Sequence, residues 1–456
     1  MMQYSILAAV VLLLVLALTV GCTSNRPYRT VFNPDDPAQP SLNPTNAVIE
    51  GTSDYKLGFV EFDDQGWFAE PRQKEAAEEL IRKDCGIGAT NGRAIIMVLF
   101  VHGWKNNADF NNGNVQTFRT VLTQLSELEK TLSEKETRAP RQLIGLYAGW
   151  RGLSIKSDYF PLPLGKEATF WSRKNAAQRV GGYGAMTELM MELEELQQTS
   201  NKALPQNASR TKLIIIGHSF GADAVYNAIS QIVAERFVQT IRQKPGQALK
   251  PLGDQVILLN PAFEAARFYD LEQLARSIKD YAPEQRPVLS VFQSKGDWAT
   301  RDFFPIGQKV ATVFQRHRSG FQKKSNQESV GWFEPFISHE LAYNPNTEES
   351  LATSTTNTLT GKHQLRSKDK LPRVAENIVS QRRVWRHAPA PGSTNVFGPC
   401  VLTSKPNYQP RSPVVVVSVA REIMKDHDDI GNPVLINFLQ EYIPFCDDEP
   451  PTGNQE

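Results

Sequence analysis

Residues 212–222, Lys-Leu-Ile-Ile-Ile-Gly-His-Ser-Phe-Gly-Ala, constrain the fold more than any other stretch. Positions 213–216 are a short apolar run rich in β-branched side chains, as in a strand buried on both faces. The run passes without a spacer into Gly217-His218-Ser219-Phe220-Gly221, and then into 222–229, which has helical periodicity. Strand, Gly-x-Ser-x-Gly turn and helix in that order make a nucleophile elbow. So tight a turn leaves no room for side chains at its flanks, which accounts for the glycines at 217 and 221. The strained residue between them, Ser219, carries its hydroxyl above the sheet edge and is the candidate nucleophile.

The segments around the elbow repeat its pattern. Alternation over 55–62 reads as a strand, with 63–66 as a turn into Trp67-Phe68, and 72–84 as an amphipathic helix. Buried strands are expected at 94–101, 143–148, 255–260, 287–293 and 413–419. Helices are expected at 115–132, 173–198, 264–280 and 433–442. Buried strands alternating with helices predict an α/β fold, a mostly parallel doubly wound sheet with helices on both faces. Functional groups of such sheets gather at the carboxyl ends of the strands. Here those ends carry His102-Gly103-Trp104, Trp150-Arg151, Ser219, Asn260, Asp297 and His427. The expected core covers 51–300 and resumes at 412–446. A long insertion at 301–411 lies between, with a polar stretch over 344–370, and 447–456 is expected to be a disordered tail.

The N-terminus is of a different kind. Residues 6–20 are almost unbroken Leu, Val and Ala, too short to span a bilayer and suited to a signal-peptide core over 1–21. The run ends in Leu18-Thr-Val-Gly-Cys22, which resembles the lipobox of bacterial lipoproteins, although Thr19 stands where an aliphatic residue is usual and no Lys or Arg precedes the core. That resemblance implies acylation at Cys22, a membrane anchor, and a place in the bacterial cell envelope. Thr23 after the cysteine implies the outer membrane, facing the periplasm. The rival is an uncleaved signal anchor. Residues 22–50, rich in Pro, Asn, Thr and Ser, are expected to be a flexible tether. An oxidising compartment permits a disulfide, and Cys400 with Cys446 are the nearer pair, leaving Cys85 free.

A serine hydroxyl is a poor nucleophile at neutral pH and needs a base, itself oriented by a carboxylate. The elbow, the strand-end His-Gly and the chain order Ser219, Asp297, His427 resemble the α/β-hydrolase superfamily on its lipase/esterase side, over roughly 55–300 and 413–443. The resemblance implies Ser219 as nucleophile, Asp297 as acid partner and His427 as base. It also implies an oxyanion hole from the backbone N–H groups of Phe220 and Trp104. Asp302 and Glu264 are alternatives for the acid, and His339 is the second choice for the base. His218 should flank the serine and His102 brace the oxyanion turn, while His317, His363 and His387 read as solvated surface. Trp104, Trp150, Phe170 and Trp171 are candidates to line an acyl pocket or simply to pack.

The implied activity is hydrolysis of a small-molecule or lipid carboxylic ester through an acyl-enzyme, with no metal and no organic cofactor. The alternative is a non-catalytic envelope lipoprotein using the same scaffold for binding. A formal net charge of +1 over 456 residues, without a long basic run, argues against nucleic acid as a partner. The insertion, placed between the strands that deliver acid and base, is expected to act as a cap, its aromatic side chains shielding an acyl chain.

Overall fold

The computed structural model describes residues 23–88, 92–154, 170–242, 248–249, 252–278, 280–347, 366–387, 391–406 and 408–447. The expected signal segment, Cys22, most of the polar stretch and the C-terminal tail lie outside these residues. Among the described residues no helix is long and apolar enough to cross a membrane.

The apolar runs become β1 (Ile49–Gly51), β2 (Tyr55–Phe62), β3 (Ile95–Val101), β4 (Gln142–Trp150), β5 (Lys212–His218), β6 (Gln255–Leu259) and β7 (Leu289–Ser294). They are followed by β8 (His339–Tyr343), β9 (Thr394–Phe397), β10 (Cys400–Ser404) and β11 (Val414–Val419). All join one sheet in the order β1-β2-β4-β3-β5-β6-β7-β11-β8-β10-β9. From β2 to β8 every neighbouring pair is parallel, and the antiparallel pairings are confined to the two edges. Parallel strands must be covered on both faces, which explains why all seven residues of β3 are buried.

Strand side chains alternate between two cores. Ile95, Met97, Leu99 and Val101 face one, with α1 (Pro71–Cys85), α3 (Phe170–Gly182), α4 (Ala185–Ala203), α5 (Phe220–Arg242) and α6 (Ala265–Ser277). Ile96, Val98 and Phe100 face the other, with α2 (Gly113–Lys135), α9 (Leu371–His387) and α10 (Pro433–Phe445). The two short remaining helices are α7 (Phe304–Ala311) and α8 (Gly320–Gln327). The doubly wound architecture is therefore as expected. One helix is not. The span 173–198 is divided between α3 and α4, because Gly184 takes φ +106°. A Cβ on Gly181 would overlap the Ala224 carbonyl, so α3 packs directly against the elbow helix α5.

The supposed tether is folded from residue 23 onward. Arg29 is fully buried, its guanidinium bonded to Glu50 at 2.7 Å and stacked on Phe59 at 3.7 Å, while Glu61 accepts the backbone N–H groups of Tyr28 and Arg29. Burying a charge is tolerated only when it is paired, and this pairing fixes the segment against β2.

The insertion is not a cap as a whole. From His339 onward it contributes β8, β9 and β10 to the sheet and α9 to the second core, where α9 packs on α2 and α10. The part around α7 and Trp332 stand by the candidate site. The cysteine pair is also corrected: Cys85, Cys400 and Cys446 are buried, and no disulfide joins any two of them. Cys400 opens β10, between β8 and β9 in the sheet, whereas Cys446 caps α10, and burial raises the Cys446 thiol well above its usual range.

Candidate active site

Because β3 to β7 and β11 run parallel, their carboxyl ends deliver six loops to one edge. Ser219 sits between β5 and α5 with φ +56°, a left-handed conformation that few non-glycine residues adopt. The flanking glycines are obligatory for different neighbours. A Cβ on Gly217 would lie 2.7 Å from Ala222 Cα, and one on Gly221 would overlap the Val101 and His102 carbonyls.

The chain order of the sequence closes into a hydrogen-bonded line. Ser219 Oγ is 2.6 Å from His427 Nε2, and His427 Nδ1 is 2.9 Å from Asp297 Oδ2. Asp297, fully buried, also accepts Gln293 Nε2 at 2.9 Å, the Thr300 hydroxyl, and the Thr300 backbone N–H at 3.0 Å. Trp332 Nε1 donates to Thr300 Oγ1 at 3.0 Å and orients that hydroxyl. Burial would raise the Asp297 pKa, but His427 and these donors outweigh it and bring it down to about 2. Burial pushes the His427 pKa down, yet Asp297 leaves it raised above the ordinary value, with Asp428 adding and Lys105 opposing.

The backbone of His427 is gripped as well. Its carbonyl accepts His218 Nε2 at 2.8 Å and Asn260 Nδ2 at 3.0 Å. Asn260, itself at φ +44°, accepts the Ser294 N–H at 2.8 Å. His218, inside the elbow, thus holds the histidine loop rather than facing the serine hydroxyl. Burial first, and then His427, lowers its pKa to about 4.

The loop after β3 passes against the serine: a Cβ on Gly103 would come within 2.7 Å of Ser219 Cβ. That approach puts the Trp104 backbone beside the elbow, while Phe220 opens α5, where an N–H has no intrahelical acceptor. His102 braces this loop. Its Nδ1 donates to the Gly103 carbonyl and its Nε2 accepts the Trp150 N–H, both at 2.9 Å, and burial keeps the ring neutral by lowering its pKa to about 4. Trp150 stacks on His102 and donates its indole N–H to the His102 carbonyl at 2.8 Å, so it supports the loop. Phe170 instead joins Trp104, Phe220, Trp171 and Phe303 in one aromatic cluster beside Ser219, with centroids 4.7 to 5.3 Å apart.

A protein-family model described as "Alpha/beta hydrolase of unknown function (DUF900)" matches residues 179–331. The chain has the α/β-hydrolase fold. No curated protein matches it. The matched region holds Ser219 and Asp297 and ends before His427.

Other candidates fall away from the line. His339 opens β8 opposite Val417, bonded to Ser338 and packed on Tyr408 and Trp385, and burial lowers its pKa to about 3. Asp302 is exposed and pairs with Arg301. Glu264 pairs with Lys174 and accepts Gln308. Among the described residues, His218, His427 and Asp428 bring potential metal ligands within 4.8 Å of one another. Both His427 nitrogens already face Ser219 and Asp297, so a metal there would break the line. Gln293, Thr300 and Trp332 carry no signal in the sequence, because an uncharged side chain within a strand or in the loops beyond it has no characteristic spacing.

Proposed function

We propose that this chain is a serine hydrolase of carboxylic esters, held at the bacterial envelope by an acyl chain on Cys22. The observation that carries the reading is the line Ser219–His427–Asp297, with contacts of 2.6 and 2.9 Å, on a serine at φ +56°. His427 Nε2 takes the proton from Ser219 Oγ as the oxygen attacks the ester carbonyl. Asp297, kept ionised, fixes the proton on Nδ1 and stabilises the imidazolium that forms. The backbone N–H groups of Phe220 and Trp104 receive the oxyanion. His427 returns the proton to the leaving alkoxide, giving an acyl-Ser219 and an alcohol. Water, deprotonated by His427, then hydrolyses the acyl-enzyme to a carboxylic acid.

A non-catalytic binding protein has no need of a serine in a left-handed turn or of a histidine clamped from three sides. Selection for binding alone would leave these groups free to separate. The aromatic cluster of Trp104, Phe170, Phe220 and Phe303 favours an apolar acyl group over a charged one. Esters of graded acyl length test this reading. It expects kcat/KM to rise from acetate to a medium chain, and activity confined to acetate, or absent throughout, contradicts it.

A further inference from the structure

Helix α7 presents two unlike faces. Phe304 and Gln308 are buried, and a Cβ on Gly307 would overlap the Trp171 indole, so this side is sealed onto the aromatic cluster. Ile306 and Val310, about half a turn away, are 61% and 71% exposed. Val313 and Phe314 continue that side, and Phe314 is 97% exposed. Four large apolar side chains open to solvent within nine residues form an unpartnered surface.

Its surroundings are basic. From Phe304 to Gln327 the chain has five Lys or Arg and no Asp or Glu. Lys309, Arg316, Arg318 and Lys323 are exposed and form no ion pair among the described residues, and Lys324 reaches Glu328 only at 3.7 Å. An apolar strip bordered by unpaired cations is the pattern of an interfacial helix that lies in an anionic membrane surface. A second copy docking through the same strip would set cations against cations, which disfavours a dimer.

The patch is also correctly oriented for such a surface. It follows the Asp297 loop directly and adjoins the catalytic edge through Phe303 and Phe170. The N-terminal segment enters at this edge too: Thr23 bonds to Ser154 through its N–H at 3.0 Å, to Leu153 through its hydroxyl, and its carbonyl accepts from Arg151. We propose that Ile306, Val310, Val313 and Phe314, with the lysines and arginines around them, dock the catalytic edge onto an anionic phospholipid bilayer. The docking holds with or without an acyl chain on Cys22, and independently of the chemistry at Ser219.

The test uses the full chain in vesicles of phosphatidylcholine mixed with phosphatidylglycerol, brominated on their acyl chains. A Phe314→Trp variant reports on the patch. A Gln206→Trp variant reports on the exposed loop ahead of β5, at the opposite edge of the sheet. The added fluorescence of Phe314→Trp should be quenched at least about twofold more than that of Gln206→Trp, and the excess should vanish in phosphatidylcholine alone. Equal quenching at the two positions, or no quenching at either, overturns the proposal. Undiminished excess without phosphatidylglycerol overturns the anionic assignment, and self-association of the chain with Phe314→Trp unquenched identifies a second copy instead.

Discussion

Asn260 donates its side-chain amide to the backbone carbonyl of His427 at 3.0 Å, joining residues 167 apart in the chain. The same amide accepts the Ser294 N–H, so one side chain ties the ends of β6 and β7 to the histidine loop. Asn260→Ala should lower kcat about 10- to 100-fold with a much smaller change in KM, since the loss is one of alignment. The orphaned groups should cost about 1–3 kcal/mol in stability. Steady-state kinetics and urea unfolding measure the two effects, and an unchanged kcat would remove Asn260 from the account.

The pH profile follows from the raised pKa of His427. The base must be neutral to accept a proton, so activity falls as pH drops through that pKa. The acid limb of kcat/KM on a neutral ester should therefore lie above about 6.5, the value of an unperturbed histidine. Lys105 opposes protonation of His427, so Lys105→Met should move the limb upward. A downward movement would contradict the electrostatic reading.

His339→Gln should keep nearly full esterase activity, because its ring meets Ser338, Tyr408 and Trp385 and none of the catalytic line. Its cost should appear as a stability loss of about 1–3 kcal/mol from a buried site. Activity abolished in a folded His339→Gln sample would reinstate it as the base.

Gly103→Ala tests the oxyanion loop. The added methyl would meet Ser219 Cβ at 2.7 Å and His218 Nδ1 at 2.8 Å, forcing the Trp104 backbone away from the elbow. A fall of about a hundredfold or more in kcat is expected, with the protein still folded by circular dichroism. Wild-type turnover would show that this loop supplies no oxyanion donor.

Much of this architecture is legible in the sequence, for physical reasons. Buried parallel strands such as 95–101 announce themselves by unbroken apolar runs, and the elbow by glycines that no other residue replaces. The strand ends then bring Ser219, Asp297 and His427 to one edge. What stays hidden depends on tertiary contacts. Residues 23–50 have the composition of a linker, and only the pocket formed by Glu50, Phe59 and the Ala108 carbonyl makes Arg29 a buried anchor. The short strand β8 lies far along the chain from its partners β10 and β11, and the polar stretch that follows it masks its membership of the sheet and that of the β9–β10 hairpin. The single helix expected at 173–198 breaks at Gly184, which takes φ +106°, a local conformation that its helical periodicity does not announce.

Labelling at Ser219 tests the central claim most directly. The full chain and its Ser219→Ala variant are treated with a fluorophosphonate and digested, and the modified peptide is identified by mass spectrometry, alongside turnover of a short ester. The account predicts one phosphonylated residue, Ser219, in the parent. It predicts no label in Ser219→Ala, whose kcat should fall by about a millionfold. Label on another residue, or ester turnover retained in Ser219→Ala, would contradict it.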